Sequence, residues 1–139
     1  MAFQIRAMNL DDYDAVLALW RSSEGVGLSA ADSRAGIARL LQANPGLSFV
    51  AEEDGLVVGA LLGSQDSRRG YLTHLAVADG RRRKGIGRAL VQACLDAMRQ
   101  IGIQKCHIFV FEHNQAARAF WKQIGWVQRH ELIIMSRDL

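Results

Sequence analysis

Between residues 75 and 90 the chain reads LAVADGRRRKGIGRAL, and no other segment narrows the available folds as far. An apolar run ends at Val77, an arginine- and glycine-rich turn follows, and an amphipathic stretch then carries Ile86, Leu90, Val91, Cys94, Leu95 and Met98 on one face. The spacing predicts a buried strand over Gly70–Ala78, a tight turn, and a long helix over Gly85–Gln100 that Gly102 is placed to end. A helix N-terminus presents unpaired N–H groups and partial positive charge, so it holds anions. Gly85 and Gly87 remove side chains where an anion must touch backbone, and the arginines add charge-assisted hydrogen bonds. Physically this is a cradle for a diphosphate. A P-loop is excluded, because Arg88 stands where Lys should follow the second glycine. A dinucleotide fingerprint fails too, because Leu90 replaces its third glycine and the next strand carries Cys106, His107 and Ile108 instead of an acidic residue.

The rest of the chain reads as alternating strands and helices around that segment. Phe3–Ala7 is a short strand. Asn9 and Asp12 make a capping-box start for a helix with Tyr13, Val16, Leu17 and Trp20 on one side. Ser22–Ala31 is a loop, and Asp32 is placed to cap a second helix carrying Ile37, Leu40 and Leu41, ending at Asn44-Pro45-Gly46. Leu47–Glu53 and Leu56–Ser64 form a hairpin through Asp54-Gly55. After the long helix come a strand at Lys105–Phe111 and a helix capped by Asn114, with Ala117, Phe120, Trp121 and Ile124 buried. Strand at Trp126–Val127 and His130–Arg137 closes the chain. The order β-α-α-β-β-β-α-β-α-β is a mixed α/β sheet in one domain, 1–139.

Composition excludes several classes. Half the 139 residues are hydrophobic, enough for a proper core. No apolar run approaches the length of a membrane span, and the start MAFQIRAMNLDDY lacks the features of a signal peptide, so a cytoplasmic chain is expected. Cys94 and Cys106 match neither a metal spacing nor a disulfide framework and read as small buried residues. The charge of +3 is local: Arg81, Arg82, Arg83, Lys84 and Arg88 fall together. That patch is short and lacks interleaved aromatics, so nucleic-acid binding is not expected. His107, Glu112, His113 and His130 have no third partner at useful spacing, and no metal site is expected.

Arg82-x-x-Gly85-x-Gly87, preceded by Leu75-Ala76-Val77, resembles the acetyl-CoA signature of the GNAT superfamily of N-acetyltransferases. Asn114–Trp126 (NQAARAFWKQIGW) resembles that family's second conserved block, and the order of elements is similar along nearly the whole chain. The short bacterial single-domain members look most alike, among them a poorly characterised branch and the ribosomal-protein alanine acetyltransferases. The resemblance implies a mostly antiparallel sheet flanked by about four helices. Its strands Tyr71–Val77 and Lys105–Phe111 splay apart to admit acetyl-CoA.

By the same resemblance, the main chain of Leu75, Ala76 and Val77 pairs with the pantetheine amides like an added strand. Main-chain N–H groups from Arg83 through Lys84, Gly85, Ile86 and Gly87 to Arg88 hold the pyrophosphate. Arg82 occupies the motif's first position, and Arg81, Arg83 and Arg88 compete for the 3′-phosphate. Asn114 contacts the cofactor arm or simply caps its helix; Phe120 lines the channel or simply packs. The implied reaction is direct attack of an amine on the thioester, with backbone N–H near Leu75–Ala76 polarising the acetyl oxygen.

The family's usual acid, a tyrosine, is replaced by Trp121, whose indole N–H is no acid in this range. An acyl-CoA sensor that binds without turnover is therefore the competing reading. For proton removal, Tyr71 and His74 on the strand before the cradle are candidates, as is Glu24 in the loop. Tyr71 and Thr73 share one face and His74 the other, unless a bulge breaks the alternation. The acceptor stays open among small amines, peptide N-termini and lysines, and so does a homodimer.

Overall fold

The computed structural model describes residues 2–139. They divide into two compact units, one running to Phe109 and one comprising Val110–Leu139.

The first unit is a five-stranded sheet in the order β1-β2-β3-β4-β5, with β1 at Gln4–Ala7, β2 at Phe49–Glu53, β3 at Leu56–Gln65, β4 at Gly70–Val77 and β5 at Cys106–Ile108. The first four strands are antiparallel neighbours, and β5 joins β4 in parallel. The β2–β3 hairpin turns through Asp54 and Gly55, both at positive φ (52° and 78°), as a type I′ turn requires.

Helices α1 (Tyr13–Arg21) and α2 (Arg34–Ala43) cover one face of the sheet. Val16, Leu19, Trp20 and Ile37 pack there with Val50, Ala60, Leu62 and Ala76. Helix α3 (Ile86–Gln100) covers the other face and lies close. A Cβ on Gly59 would stand 2.9 Å from Ile86, and one on Gly63 2.9 Å from the Cys94 sulfur. Cys94 is fully buried, donates to the Leu47 carbonyl, and has its thiol pushed up to about 12 by that burial.

Asn9 and Asp12 form the expected capping box, through a 3-10 turn that leads into α1. Asp12 also accepts two hydrogen bonds from the Arg6 guanidinium, at 2.9 and 2.8 Å, and the same guanidinium donates to Glu52. The bonds to Asp12 hold its carboxyl below the usual aspartate range, against the opposing effect of burial. Such a group adds stability above its unfolded pKa and loses it as pH falls through the lower folded value. Asp12→Asn is expected to cost about 2 kcal/mol at neutral pH. Urea unfolding should show the gap to the parent closing as pH drops into the acid range below the ordinary aspartate pKa.

Three local expectations are corrected. The cap of α2 is Ser33, whose hydroxyl accepts from the Gly36 amide; Asp32 instead belongs to the preceding 3-10 turn, capped by Ser29. Strand β5 is shorter than Lys105–Phe111. The closing strands at Trp126–Val127 and His130–Arg137 do not form: none of these residues joins the ladder, and Val127, Ile133 and Met135 stand largely exposed. Apolar, β-prone sequence makes a strand only where a neighbour supplies backbone partners.

The second unit holds α4 (Gln115–Gln123), capped by the Asn114 side chain through the Ala117 amide at 3.0 Å. Trp121 is buried there, edge-on to Phe120 (5.3 Å) and Trp126 (4.9 Å).

Candidate acetyl-CoA site on the fourth strand

Strand β4 has two different neighbours and loses one of them halfway along. On its β3 side it stays paired from Gly70 to Val77. On its β5 side only Gly70, Tyr71 and Leu72 pair, with Cys106, His107 and Ile108. From Thr73 onward β4 has no strand partner on that side, because β5 ends at Ile108; the family resemblance implied an opening between these two strands. The Ala78 amide donates to Val58 of β3 (2.8 Å). By alternation Ala76 also faces β3, whereas Leu75 and Val77 direct their N–H and C=O groups toward the open side. Arg82 Nε donates to the Val77 carbonyl on that side, at 3.3 Å.

A bulge sits at the head of the open edge. The register runs Leu62↔Thr73 and then Ala60↔Ala76, so His74 and Leu75 together oppose the single residue Leu61. His74 carries the extra residue's strain, with φ +58°. The register is unbroken through Tyr71 and Thr73, and the expected alternation fails only from His74, where the bulge begins. The His74 ring meets Trp20 of α1 edge-on at 5.1 Å, and the Trp20 indole donates to the His74 carbonyl at 3.1 Å. His74 Nε2 lies 2.8 Å from Asp32 Oδ1, with side chains 19% and 12% exposed. Asp32 is a residue the sequence pointed to only as a helix cap.

The turn after β4 reaches α3 through three left-handed residues, Gly80, Arg83 and Gly85, at φ of 83°, 66° and 83°. Arg83 pays a steric penalty there that the two glycines escape. Alternating backbone of this kind turns successive amides inward as an anion-binding concavity. Gly85 is the N-cap of α3 and supplies no capping side chain, unlike Ser33 and Asn114 at the starts of α2 and α4; Asp12 at the start of α1 makes no side-chain cap bond either, but there a capped 3-10 turn precedes the helix. The first α3 bond is Ala89 N–H to Gly85. The amides of Ile86, Gly87 and Arg88 therefore lack intrahelical acceptors. Arg83, Lys84, Gly85 and Arg88 around them are exposed.

The arginines divide. Arg81, expected to compete for phosphate, turns inward onto Glu53, whose side chain is fully buried at the end of β2. The contact brings opposite charges together; among the described residues, neither Glu53 oxygen accepts a directed hydrogen bond. Arg82 pairs with Asp79 (3.2 Å) as well as with Val77. Arg83, Lys84 and Arg88 form no ion pair among the described residues. Tyr71 sits opposite His107 with ring centroids 5.8 Å apart. Glu24 lies exposed in the loop after α1. Asn114, Phe120 and Trp121 belong to the second unit.

An uncapped helix start can hold a diphosphate, and an open strand edge joined to it through a left-handed turn can pair with an extended chain of amides. A family model for acetyltransferases, described as the acetyltransferase (GNAT) family, matches residues 13–126. The chain belongs to that family. An acetyltransferase of Photorhabdus laumondii is 31% identical over 137 residues, spanning 98% of this chain and 95% of that one. Among solved structures, Ard1 from Thermoplasma volcanium superposes with a TM-score of 0.81 at 27% identity, covering 91% of this chain and 84% of its own. The PaiA N-acetyltransferase of Thermoplasma acidophilum, solved in complex with coenzyme A, shares the fold with a TM-score of 0.80 at 20% identity over 90% and 89% of the two chains. The protein is an N-acetyltransferase of mixed α/β fold. Among the described residues of this acetyltransferase, no helix is long and apolar enough to cross a membrane.

Sequence reasoning missed two residues of the acetyltransferase's site region, Asp32 and Glu53. For Glu53 a signal existed: strand alternation puts it on the same face as Ala51, which is fully buried. For Asp32 the sequence carried none, because its partner is 42 residues away.

Proposed function

We propose that this acetyltransferase moves an acetyl group from acetyl-CoA to a primary amine by direct attack on the thioester, with residues 1–139 acting as one cytoplasmic domain. The observation that carries this reading is the continuity between the uncapped start of α3 and the open edge of β4. Amides from Arg83 to Arg88, helped by Arg82 and Lys84, hold the diphosphate. Arg83 and Arg88 are the free cations for the 3′-phosphate. Leu75 and Val77 pair with the amides of the pantetheine arm, beside buried Ala76. Val77 and His74 are three residues apart, about 10 Å of strand. That run sets the thioester near the bulge, where the Leu75 N–H on the open side polarises the acetyl oxygen. His74, Tyr71 and Glu24 are the groups available to remove the amine's proton.

The test is calorimetry with acetyl-CoA followed by thiol release with a panel of primary amines. Affinity on the order of micromolar and turnover with at least one amine are expected. No heat at micromolar protein would remove the proposal.

A second reading, an acyl-CoA sensor, is favoured by one feature. Trp121 stands where an acidic hydroxyl is usual and is buried between Phe120 and Trp126. A sensor would bind acetyl-CoA and release no thiol. Trp121→Tyr assayed beside the parent tells the cases apart: a gain in turnover identifies protonation of the leaving thiolate as limiting.

A further inference from the structure

We infer that Asp32 and His74 form the proton-accepting pair of this acetyltransferase, Asp32 fixing the imidazole so that its second nitrogen, Nδ1, takes the proton of the acceptor amine. The inference rests on the acetyl-transfer reading above and adds to it a residue, a tautomer and a direction of proton flow.

Position comes first. His74 is the bulged residue at the head of the open β4 edge, so it stands where the arm's acyl end arrives if its diphosphate lies on α3. A non-glycine residue at φ +58° is sterically strained, and such strain persists only where surrounding contacts fix it. Here two elements do so: Trp20 of α1 donates to the His74 carbonyl, and Asp32 binds the ring.

Asp32 is itself fixed. Its second oxygen accepts from the Ser29 amide (3.0 Å), and its carbonyl accepts from the Tyr13 hydroxyl (2.7 Å). An ionised carboxylate only accepts, so His74 Nε2 must carry the hydrogen that bridges the 2.8 Å gap. In the neutral ring the lone pair then resides on Nδ1. The groups facing the imidazole are Trp20 from α1 and Asp32 from the 3-10 turn, with Tyr13 behind Asp32. Among the described residues, no lysine or arginine is ion-paired with Asp32. Its charge therefore stabilises the imidazolium that proton uptake creates.

The proton balance closes without another reactant. Nδ1 accepts one proton from the attacking nitrogen as the N–C bond forms. The C–S bond breaks, its electron pair leaves with sulfur, and the imidazolium returns its proton to that thiolate or to water. His74 is the catalytic residue, and Asp32 is a positioning residue.

The experiment compares the parent with His74→Gln and Asp32→Asn. It uses acetyl-CoA and whichever of lysine methyl ester, spermidine, kanamycin or an alanine-initiated peptide releases thiol fastest. Acetyl-CoA affinity by calorimetry should stay within about twofold in both variants, since neither residue is assigned to the cofactor. The ratio kcat/KM should fall about 100-fold in His74→Gln and about tenfold in Asp32→Asn. The acid limb of the parent's pH profile should vanish in His74→Gln. Nitrogen-15 NMR should show the neutral His74 ring protonated at Nε2 in the parent and a mixture of tautomers in Asp32→Asn.

Parent-like kcat/KM with the acid limb intact in His74→Gln would overturn the pair, and so would an Nδ1-protonated ring in the parent. Should His74→Gln unfold, Asp32→Asn and the parent's tautomer still decide. Binding of acetyl-CoA without turnover of any amine would overturn the pair while leaving the cofactor site standing; failure of acetyl-CoA to bind would remove both.

Discussion

Arg81→Ala is expected to destabilise the fold by about 3 kcal/mol, the cost of stranding a buried carboxylate. Glu53 has no exposed side-chain surface, and the only cation paired with it among the described residues is Arg81. The guanidinium is a third exposed, so solvent shares part of its charge and the lower end of the range for broken buried pairs applies. Removing Arg81 leaves Glu53 either ionised without a partner or forced to bind a proton, and both outcomes favour the unfolded chain. Glu53→Gln placed in the Arg81→Ala background should recover most of the loss, because the charge that had no partner is then gone. Urea unfolding of the two single variants and the double variant measures this as a cycle. A loss below about 1 kcal/mol in Arg81→Ala would mean that the pair behaves like a surface ion pair. The same contact has a consequence for the site. It ties the turn after β4 to the end of β2, so Arg81 anchors that turn, while Arg83 and Arg88 form no ion pair among the described residues.

The parts of this architecture that were legible in the sequence are those whose physics is local. The period of α3, the Asp54-Gly55 hairpin, the Asn9–Asp12 box and the glycine-rich turn all announce themselves within a few residues. The opening between β4 and β5 came from family resemblance, and in the structure their pairing stops at Leu72 and Ile108. What stayed hidden is the pairing of distant groups. Asp32 is a short polar residue in front of a helix, and its cap chemistry is indistinguishable in sequence from its bond to His74. The bulge at His74 depends on where β3 slips by one residue, which alternation along β4 cannot reveal. Trp126–Val127 and His130–Arg137 failed for the converse reason. Their propensity is genuine, yet a strand is a property of two segments and not of one.

The stretch that first constrained the fold also offers the sharpest separation of binding from stability, at Gly87. Unlike Gly80 and Gly85, Gly87 is not among the positive-φ positions, so a side chain there meets no backbone penalty. It lies in the first turn of α3, whose amides have no capping side chain. A carboxylate in such a turn opposes the helix dipole favourably, by about 0.3–1 kcal/mol, and replacing a helical glycine adds at most about 1 kcal/mol of helix propensity. Gly87→Glu should therefore leave the melting temperature unchanged or raise it. For a diphosphate the same substitution is severe. It places a negative charge and a five-atom side chain where the proposed diphosphate meets backbone, and it neutralises the dipole that would have attracted it. Acetyl-CoA affinity by calorimetry is expected to fall at least about 100-fold, a change of about 2.7 kcal/mol. Gly87→Ala, which adds only a methyl group, should fall between the variant and the parent. Acetyl-CoA binding to Gly87→Glu at parental strength would place the diphosphate elsewhere, and the open edge of β4 would then lose its claim on the arm as well.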